Sequence, residues 1–175
     1  MHAIEVLRRC LSSALDPMHA RRRAVVMGAV QALIDGRRLT LMDLARSWPD
    51  AERVAAPLKK LDRLLGNRHL AEEREGLYGA MLAWSVCQDR PVIVVDWSEL
   101  DARGRFHVLR AALAVGGRTL TLWERVCPAK QTASPKIERA LLHALARSMP
   151  AGVRPILVAD AGFRAPWFEA VVGAD

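Results

Sequence analysis

Pro91-Val92-Ile93-Val94-Val95-Asp96 and Pro155-Ile156-Leu157-Val158-Ala159-Asp160 are two short apolar runs that open on proline and close on aspartate. Brief β-branched and aliphatic runs bounded by turn formers read as strands buried in the middle of a sheet. Between them lie two further extended runs, Phe106 to Ala114 and Arg118 to Val126, joined by Gly116-Gly117, a two-residue hairpin signal. Ser134-Pro135 then opens a helix with Ile137, Leu141, Leu142 and Leu145 on one face, and Met149-Pro150 closes it. The order is strand, strand, strand, helix, strand. A carboxylate that ends an apolar strand emerges at the carboxyl edge of its sheet. If the first and fourth strands lie side by side and parallel, Asp96 and Asp160 converge.

Upstream of Arg90 the periodicity is helical. Ile4, Leu7, Leu11 and Leu15 fall on one face before Asp16-Pro17, and a second helix runs from about Met18 to Ile34, stopping at Asp35-Gly36. Thr40 caps a short third helix, and Trp48-Pro49-Asp50 breaks the chain after it. Val54, Leu58, Leu61 and Leu65 then form an apolar stripe opposite Arg53, Lys59, Lys60 and Arg63, up to Gly66-Asn67. Pro57 is tolerated there in a first turn or marks a kink. A short helix followed by a basic amphipathic one is the outline of a helix-turn-helix module. A last helix, from about Ala71 to Cys87, leads to the strands. The expected organisation is a helical DNA-binding region at 1–70, a linking helix at 71–90 and a mixed α/β part at 91–175.

Composition bounds the function. The chain has 175 residues, 51% apolar and 26% charged, with a formal net charge of +7. That is enough for a buried core, while no run of about 18 uncharged apolar residues exists to span a bilayer. The first fifteen residues lack the apolar core of a signal peptide, so the expected location is the cytoplasm, with no membrane partner. Cys10, Cys87 and Cys127 lie too far apart for a Cys-x-x-Cys pair, and the five histidines show no metal-ligand spacing. Residues 1–70 hold 13 Lys and Arg against 7 Asp and Glu, whereas 71–175 hold 13 against 12. Such an excess fits a polyanion, because each cation set beside a phosphate releases condensed counterions. The candidate DNA contacts are Arg21, Arg22, Arg23, Arg37, Arg38, Arg53, Lys59, Lys60, Arg63 and Arg68.

Paired carboxylates suit a hard divalent ion, which takes one or two of them and completes its shell with water and phosphate. Two such ions clamp an in-line displacement at phosphorus. Strand-end aspartates also cap loops by accepting N–H bonds, and the strand pattern alone leaves both roles open.

The words around them add a resemblance. Asp96-Trp97-Ser98-Glu99-Leu100 with the glycine hairpin, and Val158-Ala159-Asp160-Ala161-Gly162-Phe163, resemble the first two catalytic blocks of DDE-type insertion-sequence transposases. The closer match is to the cut-and-paste group whose third block carries Tyr, Arg, Glu and Lys. Phe163 and Trp167 look like the aromatics that follow that family's second aspartate. Arg21-Arg22-Arg23 and Leu61-Asp62-Arg63-Leu64-Leu65-Gly66-Asn67 are similar, more loosely, to its helical end-binding region.

The resemblance implies an α+β or α/β chain with an incomplete RNase H-like core, and Asp96 and Asp160 as catalytic metal ligands. It implies Mg²⁺, or Mn²⁺ in its place, double-stranded transposon ends as partner and a homodimer on paired ends. The third block is not among these residues: Tyr78 is the sole tyrosine, and the chain stops fifteen residues after Asp160. The expectation is therefore a carboxyl-truncated transposase. Glu169, and Glu138 on the charged side of its helix, are the nearest substitutes for the missing glutamate. Glu99 and Asp101 read as solvated loop acids. Two other readings stand beside this one: a DNA-binding fragment that inhibits transposition, and another RNase H-like nuclease.

Overall fold

A computed structural model describes residues 3–173, which divide between Ala80 and Met81 into two compact units. The first is helical: α1 (Ala3–Cys10), α2 (Ser12–Leu15), α3 (Ala20–Gly36), α4 (Leu41–Arg46), α5 (Ala55–Leu65) and most of α6 (Arg68–Ser85). The division falls inside α6, the stretch expected to be a linker. Its Leu70 and Leu77 pack in the first unit, and its Leu82 belongs to the core of the second.

Local chemistry sets the helix ends. The run expected as one helix from Ile4 to Leu15 is interrupted at Leu11, beside which the Ser12 hydroxyl donates to the Arg9 carbonyl at 3.0 Å. Such a side-chain bond competes with the regular ladder. Thr40 Oγ1 accepts the Asp43 N–H at 3.1 Å and starts α4. Arg37, in the left-handed region at φ 54°, ends α3 by donating its N–H to the Leu33 carbonyl. Asn67 Oδ1 accepts from His69 N at 3.0 Å and starts α6 three residues earlier than expected.

Ala32, Leu44, Ala45 and Leu61 make one small core, and Leu15, Met18 and Met27 another. Pro57 sits in the first turn of α5, as the sequence allows. The buried stripe of α5 departs from expectation. Leu64 is half-buried whereas Leu65, in the last turn of α5, is 69% exposed. Trp48 lies against Gly28 of α3 and under Lys60, whose ammonium is 5.5 Å from a ring centroid. A methyl on Gly28 would stand 2.5 Å from Trp48 Cζ2.

α3 and α6 are joined by a two-pronged ion pair. Arg22 Nε donates to Glu73 Oε2 at 2.6 Å, and Nη2 donates to Oε1. The hydrogen-bonded guanidinium holds Glu73 below the ordinary carboxylate range.

In the second unit the strands are β1 (Val92–Glu99), β2 (Phe106–Val115), β3 (Arg118–Pro128) and β4 (Ile156–Ala159), with α7 (Pro135–Ser148) and α8 (Ala165–Val172). The sheet order is β3-β2-β1-β4. β1 runs antiparallel to β2 and parallel to β4. The order strand, strand, strand, helix, strand is as the sequence indicates, within a mixed α/β unit. Gly116 and Gly117, at φ 54° and 76°, make the hairpin turn, which demands two left-handed residues.

On one face Ile93, Val95, Leu109, Ala111 and Leu113 pack with Ile137, Leu141 and Leu145 of α7 and with Phe163 and Trp167, whose rings lie 4.8 Å apart. β3 carries a bulge. Ala112 pairs Thr121 but Ala111 pairs Trp123, so Leu122 is extra and both Leu122 and Trp123 are buried. Among the described residues no helix is long and apolar enough to cross a membrane.

Two outcomes are expected. Gly28→Ala, normally stabilising in a helix, should instead cost about 1–3 kcal/mol because the indole must move; denaturant melts measure it. The stability that wild type holds over Glu73→Gln should be full at neutral pH. Glu73's folded pKa is depressed, so that difference should shrink as pH falls through the low carboxylate range. Melting temperatures of both proteins across pH 2–7 check the sign.

Candidate functional site at the carboxyl ends of β1 and β4

The β1–β4 ladder decides where the two aspartates stand. Its parallel register pairs Val92 with Ile156, Ile93 with Leu157, Val94 with Val158 and Val95 with Ala159. One residue past that last pair come Asp96 and Asp160. Adjacent strands are about 4.8 Å apart, so the two backbones present these carboxylates as neighbours. Alternation puts Asp96 with Val94 and Ser98 on the sheet face opposite Ile93 and Val95. Ile156 and Val158, which precede Asp160 on that face, are exposed.

Short local bonds orient both carboxylates. The Ser98 hydroxyl donates to Asp96 Oδ2. Asp160 Oδ1 accepts the Gly162 N–H at 2.9 Å, in a loop where a methyl on Gly162 would come within 3.0 Å of the same oxygen. Among the described residues neither aspartate forms an ion pair, and Asp96 Oδ1 and Asp160 Oδ2 accept no hydrogen bond. Two neighbouring carboxylates, half-buried and exposed, each with a free oxygen, fit one hard cation that keeps waters for its remaining positions. A two-ion site is not matched in the same way, since the described residues contain no cluster of three or more His, Cys, Asp or Glu able to hold a metal.

The other acids lie elsewhere. Glu138, expected on the charged side of α7, is instead 5% exposed and accepts the Trp97 indole N–H at 3.2 Å. Trp97 alternates with Asp96, so Glu138 meets β1 from the face that carries Ile93 and Val95. The helical period alone did not show this, because the partner comes from another strand. Glu169 is exposed on α8. Asp101 is no free loop acid. It accepts the backbone N–H groups of Arg105 at 2.7 Å and Phe106 at 3.1 Å and pairs with the Arg105 side chain, which holds its carboxyl below the usual range.

The basic candidates divide by their contacts. Arg22 is committed to Glu73, and Arg23 donates to the Leu15 carbonyl at 3.3 Å near the end of α2. Arg21, Arg37, Arg38, Arg53, Lys59, Lys60, Arg63 and Arg68 are exposed, Arg37 at the end of its helix. On α5 Ala56, Lys59 and Arg63 follow one another along the face away from Pro57 and Leu61. The connection from α4 to α5 is Ser47–Val54, eight residues, longer than the three or four of a helix-turn-helix. Trp48 and Trp123 pack in cores, whereas Trp84 near the end of α6 is 60% exposed.

No protein-family model, no curated protein and no solved structure matches this chain.

Trp97→Phe should destabilise the second unit by about 1–2 kcal/mol, because it strips a buried carboxylate of its donor. Chemical denaturation tests this, and the loss should be smaller when Glu138→Gln is made in the Trp97→Phe background.

Proposed function

We propose that this chain binds DNA through its helical unit and acts on the phosphodiester backbone through Asp96 and Asp160, in the manner of a DDE-type transposase. One observation carries the reading: the two aspartates stand one residue beyond the last pair of the parallel β1–β4 ladder, on neighbouring strands. The sheet order, with β1 between an antiparallel β2 and a parallel β4, supports a partial RNase H-like core. The block words around both aspartates add the family resemblance.

Asp96 and Asp160 would supply anionic oxygens to one ion, the first carrying a hydrogen bond from the Ser98 hydroxyl and the second one from the Gly162 N–H. A divalent ion such as Mg²⁺ or Mn²⁺ bound there would supply Lewis acidity to a phosphodiester and a more acidic water. Lys59 and Arg63, with small Ala56 beside them, give α5 a cationic face that lets a phosphate backbone approach closely. Double-stranded transposon ends are the proposed substrate, met by a homodimer when two ends are paired. A second reading, a binding module that occupies ends without cutting them, is favoured by the lack of a third acid beside Asp96 and Asp160 among the described residues.

Mn²⁺ titration calorimetry and nicking assays on end-bearing duplexes test the proposal. Asp96→Asn and Asp160→Asn should each weaken Mn²⁺ binding at least about tenfold and remove any metal-dependent nicking. Binding that neither variant changes would overturn the metal role. Retained binding to ends without nicking selects the binding module, and equal cleavage of unrelated DNA selects another nuclease. On DNA, Lys59→Ala and Arg63→Ala should each flatten the slope of log affinity against log salt by about 0.9. A slope unchanged in both would remove α5 from the interface.

A further inference from the structure

Arg110 stands between two acids. Its register partner in β1 is Asp96, and its partner in β3 is Glu124. Directly opposed residues of antiparallel strands have Cβ atoms about 5 Å apart, so a long guanidinium side chain reaches either neighbour. It has taken one. Arg110 Nε and Nη2 donate to Glu124 Oε2 at 3.1 and 3.0 Å, while Asp96 bonds to Ser98. The Arg110 side chain is 46% exposed.

The bulge at Leu122 creates this arrangement. Along the hairpin side of β3 the pairing runs Val115 with Arg118 through Ala112 with Thr121. Continued without the extra residue, it would set Glu124 opposite Leu109, on the apolar face. Shifted by one, Glu124 meets Arg110 on the face that carries Asp96. Asp160, one residue past the end of β4, and then Asp96, Arg110 and Glu124 thus follow one another across the sheet. An arginine free to fork onto Asp96 would cover the oxygens that a cation needs and cancel their charge.

We infer that Glu124 is a positioning residue that holds Arg110 off Asp96 and so keeps the Asp96–Asp160 pair open to a divalent cation. The inference rests on the reading of those two aspartates as a cation site. It adds to that reading a residue from a strand that carries no ligand, acting through a second side chain.

Mn²⁺ titration calorimetry on the full chain tests it with a double-mutant cycle, each variant first checked for a native melt. Glu124→Gln should weaken Mn²⁺ binding about tenfold, because Arg110 then moves to Asp96, its register partner in β1. Arg110→Gln should bind at least as tightly as wild type. The double variant should match Arg110→Gln, a rescue that a purely structural ion pair would not give. If Glu124→Gln does not fold, Glu124→Asp serves, with a smaller loss that Arg110→Gln again erases. Wild-type affinity in the Glu124 variant, or a double variant as weak as Glu124→Gln, would overturn the inference alone. Wild-type protein whose Mn²⁺ binding is absent or indifferent to Asp96→Asn would overturn the cation reading and this inference together.

Discussion

The parallel pairing of β4 with β1 is the constraint on which the second unit depends. Four residue pairs hold a four-residue edge strand in register, and that register alone brings position 96 next to position 160. A slip by one residue would turn the apolar set of β4 over, moving Leu157 and Ala159 out of the core and Asp160 to the opposite face. The burial that prevents this slip comes from α7, whose Leu141, Leu142 and Leu145 pack with Ile93, Val95 and Leu157. Apolar contact on one side of the sheet therefore fixes where charge stands on the other.

The same division of labour appears around each candidate group. Trp97 and Asp96 are consecutive on β1, yet one donates to Glu138 on the packed side while the other meets Ser98 and lies beside Asp160. In the helical unit the cationic residues fall into two kinds. Arg22 and Arg23 tie elements together, and Lys59 and Arg63 remain on an outer face of α5. The count of basic residues overstates the charge available to a partner, because an arginine held by a half-buried glutamate is no longer free to leave it.

Much of the fold was legible because its signals are local. Thr40 as a cap, Pro57 in a first turn, Gly116-Gly117 as a hairpin and the two apolar runs ending in aspartate each depend on backbone preferences that a few residues carry. The departures arise where a partner from elsewhere in the chain decides the outcome. Helical period puts Glu138 on a charged side and Leu65 on an apolar stripe, because it gives a face but not the neighbour that covers it. Asp101 looks like a solvated loop acid in the sequence because its partners are loop groups that turn toward it only once the loop has closed.

The amino-acid sequence by itself determined which segments are helix and which are strand, and that two acids end two apolar runs, because propensity and periodicity act over a turn or a pleat. Tertiary structure alone decided that those runs are parallel neighbours, that a bulge sets Glu124 beside Arg110, and that Glu138 is buried. These depend on register between residues tens of positions apart, which packing of the whole sheet selects and no single segment encodes.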